Sequence, residues 1–148
     1  MPRSRDELLR AAQKIGIMYR IPPTEEAETI WARIRDAFFP TEDISSLTRH
    51  YFLWEHLENS NSIRTASGWQ LVGEFIGPQP LFVFFNPADD QTIIEFSSGQ
   101  DLTAVLTESF LLEFYATDGA SYLLCFNHHD YLIGAGAAAG WIERIIAP

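Results

Sequence analysis

Leu111-Leu-Glu-Phe-Tyr-Ala116, Tyr122-Leu-Leu-Cys-Phe126 and Tyr131-Leu-Ile133 are three apolar runs divided only by Thr117-Asp-Gly-Ala-Ser121 and Asn127-His-His-Asp130. Short runs rich in aromatic and branched side chains, bounded by turn residues, read as strands. Connections this brief cannot hold a crossover helix, so successive strands must run antiparallel. Upstream, residues 69–76, 81–85 and 92–96 repeat the pattern around Gly77-Pro78 and Asn86-Pro-Ala-Asp-Asp90, and together the six runs predict an antiparallel meander.

Helical patterns flank and interrupt these strands. Leu102, Val105 and Leu106 recur at helical spacing after Ser97-Ser-Gly99, which predicts an inserted helix over 101–108, and a final helix is expected over 135–145. At the other end, Ser4 and Glu7 match a capping box ahead of Leu8, Leu9, Ala12, Ile15 and Tyr19, predicting a helix over 5–19. Pro22-Pro23 stops it, because proline disfavours the helical conformation in the residue before it. Thr24 then caps a second helix with Ala27, Ile30, Trp31, Ile34 and Phe38 on one face and Pro40 at its end, and the two are expected to form a hairpin. Residues 47–57 fit a helix by the spacing of Leu47, Tyr51, Trp54 and Leu57 and a strand by composition, with a strand expected in the later part. Residues 58–62 read as a polar loop. The expected architecture is α+β in a single domain of residues 1–148: an N-terminal helical hairpin, a five- or six-stranded mostly antiparallel sheet, an inserted helix and a C-terminal helix.

The chain has 148 residues and a net charge of −10, with 47% hydrophobic and 14% aromatic residues, too apolar for disorder. No stretch has the length and hydropathy of a membrane span, and the N-terminus lacks the apolar core of a secretory signal. The single Cys125 cannot form an internal disulfide, so a cytoplasmic setting is expected. Between Thr65 and Glu143 there is no Lys or Arg, yet the span holds ten acids. The first 64 residues are nearly neutral, with ten acids against nine bases. Such a half attracts cationic partners and repels phosphates, which argues against nucleic acid and for a basic protein.

No motif establishes catalysis, a cofactor or a metal. The glycines of Gly134-Ala-Gly136-Ala-Ala-Ala-Gly140 follow a strand and open a helix, but a dinucleotide site needs a further parallel strand and an acid about 20 residues on, and here the chain ends. Gly136, Ala137 and Gly140 are expected to let the last helix pack closely on the sheet. His128, His129 and Asp130 are types a metal or a general base would use, and on an extended chain only His128 and Asp130 would share a face. His50 and His56, six apart, follow no familiar metal spacing. Cys125 has no activating neighbour in sequence, and no nucleophile elbow, phosphate loop, zinc-finger spacing or calcium loop is present.

Phe110-Leu-Leu-Glu-Phe-Tyr115, Tyr122-Leu-Leu-Cys-Phe-Asn127, Asp130, Leu132, Gly134-Ala135 and Trp141 together resemble the cadence of the SUKH-type immunity proteins, over about residues 69–145. The Gly-Gly loop that many members carry after their first helices is absent. The resemblance implies a protein that masks a toxin by binding it, with no catalytic residues. Basic toxins would meet the carboxylates Glu74, Asp89, Asp90, Glu95, Asp101, Glu108, Asp118 and Asp130, with Trp69 or Tyr131 as aromatic anchors. Two other classes stay open: a small metal-dependent or acid/base enzyme centred on His128-His129-Asp130, and an oligomerising domain that pairs through the Trp31 and Phe38 face.

Overall fold

Strands with a buried neighbour on each side can have no polar face, and this chain places the inner strands of its sheet in that position. The computed structural model describes residues 3–111 and 113–146, with the side chain of Ile44 outside the described set. Its seven strands are β1 (Tyr19–Arg20), β2 (Ser60–Arg64), β3 (Leu81–Phe84), β4 (Ile94–Phe96), β5 (Phe114–Thr117), β6 (Tyr122–Phe126) and β7 (Tyr131–Gly136). They pair antiparallel throughout, in the order β1-β4-β3-β5-β6-β7-β2. Leu81, Val83, Phe114, Ala116, Leu124 and Leu132 point into one core, while Phe84, Tyr115, Leu123, Cys125 and Ile133 point into a second. The first core is closed by helices α1 (Ser4–Ile15), α4 (Gly68–Ile76), α5 (Gly99–Thr107) and α6 (Ala137–Ile146), the second by α2 (Thr24–Phe38), α3 (Ile44–Leu47) and a 3-10 turn, Leu53–His56. Each fully buried Leu or Phe in these layers stabilises the fold by about 1.5–3 kcal/mol.

The α+β class with its inserted and C-terminal helices is as read from sequence, and several elements differ in detail. Residues 69–76 form helix α4, not a strand: a short apolar run does not reveal its period, and Val72, Gly73 and Ile76 are buried on one helical face. Of the polar residues 58–62, the last three begin strand β2, which is exposed at the sheet edge and held by backbone pairing to β7. A polar edge strand resists further pairing, and its composition hides it. In residues 47–57 only Leu47 and Leu53 are buried, so the segment folds as a short helix and a 3-10 turn and leaves Tyr51 and Phe52 outside.

The first two helices do not pack as a hairpin. Tyr19–Arg20 joins the sheet as β1 beside β4, and the two stripes diverge: Leu8, Ala11 and Ala12 enter the first core, Ile30, Ile34 and Phe38 the second. Neither Ser4 nor Thr24 caps its helix through its side chain. Asp43 and Ser98 do so for α3 and α5, by accepting from the backbone N–H of Ser46 and Asp101. The face with Trp31 and Phe38, read as a pairing surface, is covered internally: Phe38 is buried, and Trp31 sits edge-on to Phe84 and donates to the Gln91 carbonyl at 3.1 Å. Among the described residues no helix is long and apolar enough to cross a membrane.

Helices α4 and α5 touch backbone to backbone. A Cβ on Gly73 would meet Thr103 Oγ1 and lie 2.7 Å from the Gly99 carbonyl oxygen, and one on Gly99 would run into the Gly73 carbonyl. The last helix comes closest to the sheet at Gly134 of β7, whose added Cβ would be 2.7 Å from Ile142 and 2.9 Å from Ala138, and not at Gly140 as the sequence suggested. Gly136 has a different duty: its φ of +64° is left-handed and its hydrogen faces the Ser121 carbonyl. Gly99→Ala is therefore expected to destabilise the protein by about 1–3 kcal/mol through overpacking. Gly140→Ala, with only Arg144 near its Cβ, should stabilise helix α6 by up to about 1 kcal/mol. Urea denaturation of the two variants beside the parent checks both.

Candidate functional site

Antiparallel register brings the end of β3, the start of β5 and the β6–β7 turn to one edge of the sheet. There the chain forms a cleft of about 740 Å³ lined by Tyr51, Phe52, Phe85, Asn86, Asp89, Asp90, Glu113 and His128, with Arg3 and Arg5 on another side. The turn is fixed from within. The buried Asn127 accepts through Oδ1 from the N–H of His129 at 2.9 Å and of Tyr131 at 3.1 Å, and Asp130 takes a left-handed φ of +63°. Asp130 tolerates this conformation better than a branched residue would.

A chain of hydrogen bonds runs from core to cleft. The Trp54 N–H donates to Tyr115 Oη at 3.1 Å, and that hydroxyl donates to Asn86 Oδ1 at 3.0 Å. Asn86 Nδ2 donates to Glu113 Oε2 at 3.0 Å, and Glu113 Oε1 lies 2.9 Å from His128 Nδ1. Burial, then the neighbouring Cys125 and Glu113, raise the Tyr115 hydroxyl far above its ordinary range, so it stays a donor. An ionised carboxylate only accepts, so Nδ1 carries the proton in this pair and Nε2 is the ring nitrogen left for a ligand. Burial also raises the Cys125 thiol well above its ordinary value, which makes it a packed core residue and not a nucleophile.

The structure separates the residues that the sequence grouped. His128 and His129 lie in a turn, so their rings come within 4.0 Å instead of pointing apart. His128 takes Glu113, a residue no spacing rule connects to it, as its carboxylate partner in place of Asp130. Asp130 is exposed, and its carbonyl accepts from Thr65 N–H at 2.8 Å. Conversely, His50 and His56 come together: their rings stack with centroids 3.7 Å apart, beside the carboxylate of Glu42.

The eight acids do not form one free face. Asp90 lies 3.6 Å from Arg5, Glu95 lies 2.7 Å from Arg20, and Glu108 lies 3.3 Å from Lys14. Asp118 is tied into its turn by the N–H groups of Ala120 and Ser121 and by the Ser121 hydroxyl. Glu74, Asp89, Asp101 and Asp130 have no cationic partner among the described residues, and of these only Asp89 lines the cleft. Of the expected anchors, Tyr131 is 38% exposed at the start of β7, while Trp69 packs against the first core.

Two measurements probe this geometry. Asn86→Ala removes the link between Tyr115 and Glu113 and leaves both without it, so it should cost about 1–3 kcal/mol in urea denaturation. Burial raises the Asp118 carboxyl, but its bonds from Ser121, Ala120 and Tyr122 outweigh burial and hold it below its ordinary value of 3.8. A carboxyl depressed by folding stabilises above its unfolded pKa and loses that contribution as pH falls. The melting-temperature difference between parent and Asp118→Ala should accordingly be full at neutral pH and shrink on acidification below about pH 4.

In comparisons with protein-family models, curated proteins and solved structures, the chain matches none.

Proposed function

We propose that the protein is an acidic partner-binding module of the immunity type, which holds a basic protein at the cleft between Tyr51, Phe52, Asp89 and His128. One observation carries this reading. At that rim two exposed rings, Tyr51 at 69% and Phe52 at 45%, stand with an exposed carboxylate, Asp89, that is in no ion pair among the described residues. Exposed rings grouped with charge mark contact surfaces, and Tyr is among the side chains that anchor them. Ring faces next to a carboxylate suit the guanidinium or ammonium of a partner. Of the two arginines lining the cleft, Arg5 faces Asp6 and Asp90, so the chain's own acids already engage it. The net charge of −10 speeds encounter with a cationic protein.

The Glu113–His128 pair favours a second reading, a small acid/base site in the same cleft. A carboxylate that orients an imidazole is the arrangement general bases use. What argues against it is the lack of a Ser, Cys or Lys side chain hydrogen-bonded to His128 among the described residues.

Co-expression with the product of the adjacent upstream gene separates the two. The binding reading expects a co-purifying complex that rescues growth and whose affinity falls steeply with added NaCl. Tyr51→Ser and Asp89→Asn should each weaken it roughly tenfold or more. Affinity indifferent both to salt and to these substitutions would sink the reading, and turnover of a small substrate that vanishes in His128→Gln would favour the alternative.

A further inference from the structure

We infer that Glu42, His50 and His56 form a binding site for a divalent cation of the zinc class. The donors come from three separate pieces of the segment between α2 and β2: Glu42 just past Phe39, His50 after α3, and His56 at the end of the 3-10 turn. No sequence spacing connects them, yet one ligand atom from each lies within 4.8 Å of the other two. Glu42 Oε1 stands 3.2 Å from His50 Nε2 and 3.6 Å from His56 Nδ1. Ligands held at zinc's usual 2.0–2.1 Å in a tetrahedron are about 3.3 Å apart, so these two edges already have the right length.

A second observation points to a missing partner. His50 Nε2 is sealed from solvent and, although near Glu42, is not aligned for a hydrogen bond, so this polar atom has no partner. An unsatisfied buried nitrogen is costly, and a cation seated between it and the Glu42 carboxylate satisfies both. The donor set is also selective. Two imidazoles and one carboxylate suit zinc or a similar transition ion, while calcium and magnesium require more oxygen ligands than one glutamate supplies. His50, Glu42 and His56 side chains are 23%, 20% and 38% exposed, which leaves room for water at the fourth position of a three-ligand site.

Loading must change one feature. A metal lies in the plane of each imidazole that binds it, and rings stacked 3.7 Å apart at an interplanar angle of 24° do not share an in-plane point nearby. The two rings therefore fan apart on binding, and Glu42, whose carbonyl is anchored by Arg35 at 3.1 Å, remains the fixed point. The ion would close the irregular stretch that carries Tyr51 and Phe52, an effect independent of whether those rings bind a partner.

The test uses the full chain stripped with chelator and titrated with Co²⁺, then with Zn²⁺ as competitor. The expected result is one Co²⁺ per chain, visible bands of the strength of four- or five-coordination, and displacement by Zn²⁺. Affinity should weaken at least roughly tenfold in Glu42→Gln, His50→Gln and His56→Gln and stay unchanged in His128→Gln. Far-UV circular dichroism of the metal-free variants establishes that they fold. X-ray absorption of the zinc-loaded parent, which needs no variant, should show two imidazoles in the metal shell. A shell without imidazole, the absence of saturable binding by the parent, or binding lost only in His128→Gln would overturn the site.

Discussion

The burial of the central strands on both faces constrains everything else in this molecule. Every residue of β5 and β6 is buried, so no position along them can carry a group that needs water. Two of the three hydroxyls there are satisfied internally: Thr117 donates to the Tyr122 carbonyl at 2.6 Å and accepts from Gly119 N–H at 2.8 Å, and Tyr115 donates to Asn86, whereas the Tyr122 hydroxyl is buried without a partner among the described residues. Polar chemistry is displaced to the strand ends. At one end Asp118 organises a turn, and at the other Asn86, Glu113, Asn127 and His128 surround the cleft. A charge placed mid-strand on β6 would find no water on either face.

Tyr115 links this interior to the surface. Its ring stacks on Phe84 with centroids 4.8 Å apart, and its hydroxyl reaches the sheet end, where it meets both the 3-10 turn and Asn86. Leu53 N–H also points to Asn86 Oδ1, at 3.4 Å. The segment carrying Tyr51, Phe52, His50 and His56 has little regular structure of its own. Two buried leucines and these bonds to the sheet end set its position. The cleft and the histidine cluster thus depend on the same core contact, although neither shares a residue with the other.

The legible parts of the sequence were those where local chemistry and tertiary environment agree. Strands β5, β6 and β7 follow from apolar runs between strong turn residues, and α2 follows from its periodic stripe and its proline boundaries. Where tertiary contact decides, reading along the chain fails. Residues 69–76 are apolar enough for a strand and fold as a helix that buries Val72, Gly73 and Ile76, with Gly73 admitting the backbone of α5. Ser60–Arg64 is polar enough for a loop and becomes a strand because β7 supplies hydrogen-bond partners. The site was half legible for the same reason: His128 stood out by type, but Glu113 sits 15 residues away and is joined to it only by strand register. The spacing of His50 and His56 carries no metal signal, and only the fold shows them stacked beside Glu42.

The charge asymmetry of the sequence needs the same correction. Read linearly, the second half is a block of uncompensated acid. In three dimensions the first half folds back over it, and Arg5, Lys14 and Arg20 reach Asp90, Glu108 and Glu95. The two exposed pairs, Lys14–Glu108 and Arg20–Glu95, contribute little stability each, so they do not drive folding. Their effect is on what remains: the surface repulsion of the acidic half falls, and the carboxylates still available to a partner are fewer and scattered. Glu74, Asp101 and Glu143 lie on helices α4, α5 and α6, Asp130 in its turn, and Asp89 at the cleft beside two exposed rings. Net charge can therefore steer a cationic partner toward this protein without fixing where it docks. On the proposed binding reading, docking requires an unpaired carboxylate that coincides with apolar surface, and the cleft holding Tyr51, Phe52 and Asp89 is where the two occur together.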